Sequence, residues 1–553
     1  MHAQLTEASR LKVDIVAWTD HDWRMQAVGY WNEVSFGSAT DDKDGRQWRW
    51  TVEDREQAAQ GRHTFGTCPD IAGQEAATDC LYLVCDPRED ARGEYRLIAH
   101  ADRQAYRTSL HGQRLEVDVF PEQISDNAAL TFDVLTSYRP ATNGRPAGRY
   151  RLSYRIGGEG RVDSPEVRGG VGIITVDAPA GEWTRVAFEP ATDLTALWPD
   201  IDGRDASSFE LSVAAVVTKS DVAAGYFRSL TIDRVDVEGD EPVLTQAALM
   251  ELYRGEFPAI TQISGTEISL DSPHLGALSD SLSIPVTPGN SAAIVEGVKD
   301  GGGIVSYNHP FGSGKEKLTA TDREKLVSET AARLVDERAL GCNMIEAGYR
   351  SRGGGDLEDH QTLWDSCSRA GVFLTGVGTN DNHTGADWDQ PANNFVTWIW
   401  APDPTPAAII ASLASGHVFF GDPNLFAGTL DLRTPSGGRM GQVIVADDPG
   451  SVLSVLATGL PEGANVEVVK LAMLAAGDTE ALVPREQDYE RTLLAPSDFS
   501  SNVAEIPLES GTTGFYRAVV VDAYDQTIAL SNPIWLLDKE PTSGIPSARQ
   551  ARS

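Results

Sequence analysis

Cysteine is scarce in this chain and follows no metal-binding pattern. The five residues Cys68, Cys80, Cys85, Cys342 and Cys367 contain no Cys-x-x-Cys spacing. That excludes a zinc knuckle, and an odd count defines no complete disulfide framework. Cys80 and Cys85 lie close enough in sequence for a bridge between them to be one expectation. Long apolar runs are missing as well: nothing approaches the roughly 18 residues of a membrane-spanning helix. The opening MHAQLTEASRLK has no apolar segment of the secretory type. Basic residues are outnumbered, 46 Lys and Arg against 81 Asp and Glu, for a formal net charge of -35. A phosphate backbone would be repelled by such a surface, which excludes nucleic acid as a partner. No Lys-Ser/Thr follows Gly301-Gly302-Gly303, so the triple glycine is not a phosphate cradle.

What remains is a well-packed chain. Its 553 residues exceed a single core, and at about 150 residues per domain roughly three domains are expected. Hydrophobic residues make up 41% and there are 12 Trp, which excludes wholesale disorder. The acidic excess reads first as solvated surface, and it also attracts cations.

One local pattern recurs: a short apolar run ending abruptly in polar residues, as a parallel barrel strand meets its functional loop. Val13 to Trp18 leads into Thr19-Asp20-His21-Asp22, and Ile260 to Ile263 into Ser264-Gly265-Thr266-Glu267. Gly303 to Tyr307 leads into Asn308-His309-Pro310, Met344-Ile345 into Glu346, and Val372 to Gly378 into Thr379-Asn380-Asp381-Asn382-His383. Residues 291–300, 321–339 and 405–415 carry apolar side chains at three- and four-residue spacing, which predicts helices between the later strands. Strands alternating with helices predict βα units around a parallel sheet. Between residues 31 and 243 the segments are short, alternating and punctuated by Gly, Pro, Asp and Asn, an all-β sandwich pattern. It interrupts the barrel, as insertions at loop tips do. Residues 423–540 read as a second sandwich, and the polar stretch 541–553 as a disordered tail.

Acids and histidines gather at the predicted strand ends: Asp20, His21, Glu267, His309, Asp381 and His383, with His274 shortly after Glu267. Imidazole with carboxylate suits borderline divalent cations such as Zn, Mn and Fe, and a bridging carboxylate lets two cations sit close. Barrel enzymes place catalytic groups at the C-terminal ends of their strands. Taken singly, each residue has a plainer reading. Asp after a strand commonly caps the next helix, and Glu267 alone reads as a surface carboxylate. The ordered set carries the inference.

Thr19-Asp20-His21-Asp22, Gly265-Thr266-Glu267-Ile268-Ser269, Gly302 to Pro310 and Asn380-Asp381-Asn382-His383 resemble, in order, the motifs of the PHP (polymerase and histidinol phosphatase) family. The β insertion and terminal sandwich make the chain similar to the larger, carbaryl-hydrolase-like members. The resemblance covers residues 1–30 and 244–422. It implies a distorted (β/α)7 barrel, with domains 1–30 and 244–422 forming it, 31–243 inserted and 423–540 appended. It implies two or three divalent metal ions (Mn, Zn or Fe) and phosphoester hydrolysis by a metal-bound hydroxide, with carboxyl or carbamate esters as the alternative. On this resemblance His21 and His383 hold one metal, Glu267 bridges two others, His274 and His309 complete the second, and Asp381 binds the bridged pair. Asp20 orients His21 or the attacking water; Asp20, His309 and Asp381 form the catalytic set.

Arg350 and Arg352 are candidates to grip a phosphate or carboxylate, with a solvated salt bridge the equal alternative. Glu346 is expected to be structural or to support the ligands, and His360 to pack in a helix. The family's first motif, a His-x-His on the first strand, is missing. The expectation is an internal start within a longer reading frame. The other reading is a degenerate, non-catalytic barrel that binds carbohydrate or a surface. The expected substrate is a small-molecule or glycan-linked ester, with an extracytoplasmic location suggested by the added sandwiches.

Overall fold

A computed structural model describes residues 1–20, 33–34, 36, 40–41, 47–53, 61–66, 68, 79–86, 92–101, 104–105, 109–142, 144–157, 165–217, 221–234, 241–269, 272–280, 290–314, 317–382, 385–389, 393–445, 452–475, 481–508 and 513–550. The chain is mixed α/β, mostly sheet, and divides into two compact units. One comprises residues 1–6 and 23–256, the other 7–22 and 257–553.

The first unit is built on two sheets. Along Gln113–Ile124, Leu115, Val117 and Val119 are fully buried while Glu116 and Asp118 face outward, the period-two pattern of a sheet with one covered face. That strand pairs antiparallel with Ala223–Arg234 and Thr184–Phe188. In the second sheet Ala128–Thr136 lies between Arg151–Ile156 and Ser208–Val217. Leu115, Val117 and Phe227 of one sheet and Phe132, Val134 and Val213 of the other share a single core. The expected Cys80–Cys85 bridge is replaced by a Cys68–Cys80 disulfide, and Cys85 is a buried free thiol. The reason is geometric. Cys80 and Cys85 begin and end one extended strand, which holds them about 16 Å apart at about 3.3 Å per residue, far beyond the reach of a disulfide of about 7 Å.

The second unit carries the candidate site on a six-stranded sheet. Ile15–Ala17 pairs parallel with Thr261–Ile268, and Leu275–Ser279 runs antiparallel to both Thr261–Ile268 and Ile304–Tyr307. Ile304–Tyr307, Met344–Glu346 and Thr375–Val377 then run parallel, joined by the helices Ala320–Asp336 and Leu357–Arg369. Helices Ser291–Asp300 and Pro406–Ser415 lie on two further stretches with helical spacing. Caps fix the helix starts: Asn290 accepts from Ala292 and Ala293 N–H, Thr319 from Asp322 N–H, and Asp356 from Asp359 N–H, each satisfying donors left open by the first turn.

The distorted (β/α)7 barrel that the resemblance implies is met only in part: parallel strands joined by helices are present, and no closed barrel is formed among the described residues. Among the described residues the sheet is open and mixed, with Ile15–Ala17 and Thr375–Val377 at its edges. The strand expected to end near Ile263 continues to Ile268, so Glu267 lies inside it. Only residues 269–274 separate it from the next strand, too few for the crossover of about a dozen residues that parallel pairing needs, so the chain returns antiparallel.

Among the described residues, strand pairing and core packing continue across the boundary expected at 422. Val418–Gly421 pairs with Thr527–Ser531 in the sheet of the C-terminal region, and Trp364 and Val372 share a core with Phe515 and Trp535. The tail expected to be disordered is ordered through Gln550. Arg549 is 1% exposed and donates to the Gly441 and Asn343 carbonyls and to Thr375 Oγ1. A guanidinium held by that many acceptors cannot leave without stranding them.

Candidate metal centre

Three neighbouring strands and their connections bring Glu267, His274 and His309 together, so that one ligand atom from each lies within 4.8 Å of the others. Glu267 sits opposite Gly276 in the antiparallel register, and His274 immediately precedes that partner strand. His309 follows Ile304–Tyr307, the next strand across. The hairpin register sets the site, because it places the carboxylate and both imidazoles at one end of three adjacent strands.

Glu267 Oε1 lies 3.0 Å from His309 Nε2 and 3.4 Å from His274 Nδ1. Ligand atoms about 2.1 Å from a shared ion at tetrahedral angles stand about 3.4 Å apart. One carboxylate and two imidazoles at these spacings therefore fit a borderline divalent cation. Asn308 Nδ2 donates to the same Glu267 oxygen at 3.0 Å, which orients the carboxylate. Gly276 makes room for this amide, since a Cβ there would lie 2.8 Å from Asn308 Oδ1.

His309 is held in an unusual backbone conformation, φ 25°, of the kind that costs on the order of 1–3 kcal/mol in a non-glycine residue. Its N–H donates to Glu346 Oε2 at 2.5 Å, and the same oxygen accepts from Tyr349 Oη at 2.7 Å. Thr379 Oγ1 donates to Glu346 Oε1 at 3.2 Å. Burial disfavours charge on His309, but the hydrogen bond to Glu267 and the fields of Glu346 and Glu267 outweigh it and raise its pKa. Burial likewise raises the pKa of Glu346, opposed by His309 and the hydrogen bonds it accepts. A cation taking the place of the proton between His309 and Glu267 would relieve the same concentration of negative charge.

The remaining expected residues fall elsewhere. His21 and His383 lie outside the described residues. Asp20 is exposed, and its contribution is its main-chain carbonyl, which accepts from Glu267 N–H at 2.9 Å and Thr266 Oγ1 at 3.0 Å. Asp381, at φ 49°, forms an ion pair with Arg352. Arg350 donates to buried Asp422 at 2.7 Å and to Asn394 at 3.3 Å. Both arginines are thus engaged by acids of the chain itself. His360 is buried, donates through Nδ1 to the Asp356 carbonyl at 2.7 Å and packs edge-on against Phe311.

Sequence reasoning missed Asn308, although it stands beside His309; its role appears only once Gly276 is seen opposite. Tyr349 and Thr379 were missed because no local pattern marks a hydroxyl that supports a carboxylate. Beside the cluster lies a cavity of about 200 Å³ lined by His274, Tyr307, Asn308, His309, Ser313 and Arg333 among others.

No protein-family model and no curated protein matches this chain. Solved structures similar to it include a two-domain protein containing a predicted PHP-like metal-dependent phosphoesterase from Bacteroides vulgatus, 15% identical over 54% of this chain and 81% of that one, with a TM-score of 0.26. The catalytic domain of Humicola grisea Cel12A is 14% identical over 37% of this chain and 96% of its own, TM-score 0.22. A structure of carbohydrate-binding modules from the β-sandwich superfamily is 7% identical over 39% of this chain and 62% of its own, TM-score 0.19. Likenesses this distant establish no shared fold, so the chemistry is read from the site's own residues.

Proposed function

We propose that this chain is a metal-dependent hydrolase whose preferred substrates are phosphoesters. The observation that carries this reading is the Glu267–His274–His309 cluster, three ligand atoms within 4.8 Å, whose two histidines line a cavity of about 200 Å³. These three residues would hold a divalent cation of the Zn, Mn or Fe type. When bound, such an ion polarises a phosphoryl or carbonyl oxygen and lowers the pKa of water, so that hydrolysis proceeds near neutral pH.

The chain's own groups do the positioning. Asn308 fixes one Glu267 oxygen, and Glu346 fixes the main chain of His309. A support of this kind keeps ligand orientation within the tolerance that metal sites require. In the overall reaction the oxygen of water bonds to phosphorus as the ester P–O bond breaks, and the departing alcohol keeps its oxygen and takes a proton. The Cys68–Cys80 disulfide supports an oxidising, extracytoplasmic setting for this activity.

The test uses the full chain reconstituted with Mn or Zn and assayed on p-nitrophenyl phosphate and p-nitrophenyl acetate. Turnover of the phosphate ester should disappear on chelation and fall at least about 100-fold in His309→Ala, with the far-ultraviolet dichroism unchanged. A chain that retains metal yet cleaves neither ester would end the hydrolase reading. Preference for the acetate would redirect it to carboxyl or carbamate esters.

A further inference from the structure

We infer that Arg333 is the anion-recognition residue of this site and that the group presented to it is a phosphate. The inference rests on the hydrolase reading above and names the substrate class of that site. Arg333 projects from the last turn of the Ala320–Asp336 helix and lines the same cavity as His274, Asn308 and His309. Its guanidinium is oriented by neutral partners. Nη1 donates to the Tyr307 hydroxyl, and Nη2 lies 3.4 Å from the Pro310 carbonyl. Neither partner cancels its charge.

The contrast with neighbouring arginines is what gives this weight. Arg323, on the same helix, is paired with Asp356 and Asp359. Arg350 and Arg352, the arginines expected from sequence to grip an anion, are taken by Asp422 and Asp381. Among the described residues no carboxylate lies within ion-pair distance of Arg333, in a chain with 81 acidic residues. A half-buried guanidinium left without a carboxylate beside a cation-binding cluster is a built anion site, because its planar fork matches two oxygens of one phosphate. At about 200 Å³ the cavity is smaller than the roughly 300–1,000 Å³ that encloses a drug-sized ligand. It therefore takes the phosphate and the first atoms of its alcohol, and the rest of the substrate lies outside.

The test is calorimetric titration of the full chain with inorganic phosphate and, separately, acetate, in chelated protein and in protein reloaded with Mn, with metal content measured in each. Phosphate affinity should fall about 10- to 100-fold in Arg333→Met, the size expected for lost charge-assisted hydrogen bonds. Arg323→Met, which removes an equal charge from the same helix, should leave it unchanged, and acetate should bind more weakly than phosphate. No measurable phosphate binding by the wild type, an unchanged affinity in Arg333→Met, or acetate binding as tightly as phosphate would each overturn the inference. If Arg333→Met fails to fold, Arg333→Lys asks the same question: losing the planar fork should weaken phosphate about 3- to 10-fold, and no loss overturns it. Metal content is read independently, so an Arg333-dependent phosphate site in a chain that retains no metal would defeat the hydrolase reading alone.

Discussion

Replacing Glu346 by Gln tests whether His309 is positioned through its backbone. The substitution keeps shape and removes charge from a carboxylate, 7% exposed, that accepts from His309 N–H, Tyr349 Oη and Thr379 Oγ1. Hydrogen bonds to a charged acceptor contribute about 1.5–3 kcal/mol and neutral ones about 0.5–1.5, so each surviving bond loses about 1 kcal/mol. The new amide NH2 also faces one donor it cannot satisfy. Burial raises the pKa of Glu346, so removing its charge recovers part of this loss. The net destabilisation expected is about 1–2 kcal/mol. The larger effect is on the site, since His309 at φ 25° depends on that N–H contact, and a lost support of this kind typically weakens metal binding about 10- to 100-fold. Urea unfolding reads the first quantity and calorimetric Zn titration the second. Zn affinity within about twofold of wild type, together with reduced stability, would show that Glu346 supports the fold and does not set His309.

Two further predictions are independent of that one. Gly276→Ala places a Cβ 2.8 Å from Asn308 Oδ1, the movable end of a side chain; unfolding stability should change little, while displacement of Asn308 from Glu267 weakens Zn binding about 10-fold, and unaltered affinity would remove Asn308 from the account. Burial depresses the His360 pKa to about 4, so the unfolded chain binds the proton first as pH falls below about 6.5; stability is lost between about pH 6.5 and 4, approaching 3 kcal/mol at about 1.36 kcal/mol per unit. His360→Asn should flatten the urea-monitored stability profile in that window, and an unchanged slope would refute the assignment.

The sequence made the βα rhythm legible because it is local. Apolar spacing within 291–300, 321–339 and 405–415 anticipates the helices Ser291–Asp300, Ala320–Asp336 and Pro406–Ser415. It also singled out Glu267, His274 and His309, which meet in space. What it missed depends on pairing between distant strands. The antiparallel return after Ile268, the contact of Asn308 with Glu267 across Gly276, and the partners of Arg350 and Arg352 are properties of register, which no local periodicity encodes. Cys68–Cys80 was invisible for the same reason, and the tail's order rests on Arg549 finding carbonyls far away in sequence.

Glu267, His274 and His309 are proposed to form one metal site. The most direct measurement is anomalous diffraction at the Zn edge from crystals of the full chain soaked in Zn. A peak is expected about 2.0–2.2 Å from Glu267 Oε1, His274 Nδ1 and His309 Nε2, and it should be lost in His309→Ala crystals. A Zn-soaked crystal with no peak between these three atoms, or with one that persists in His309→Ala, would contradict it.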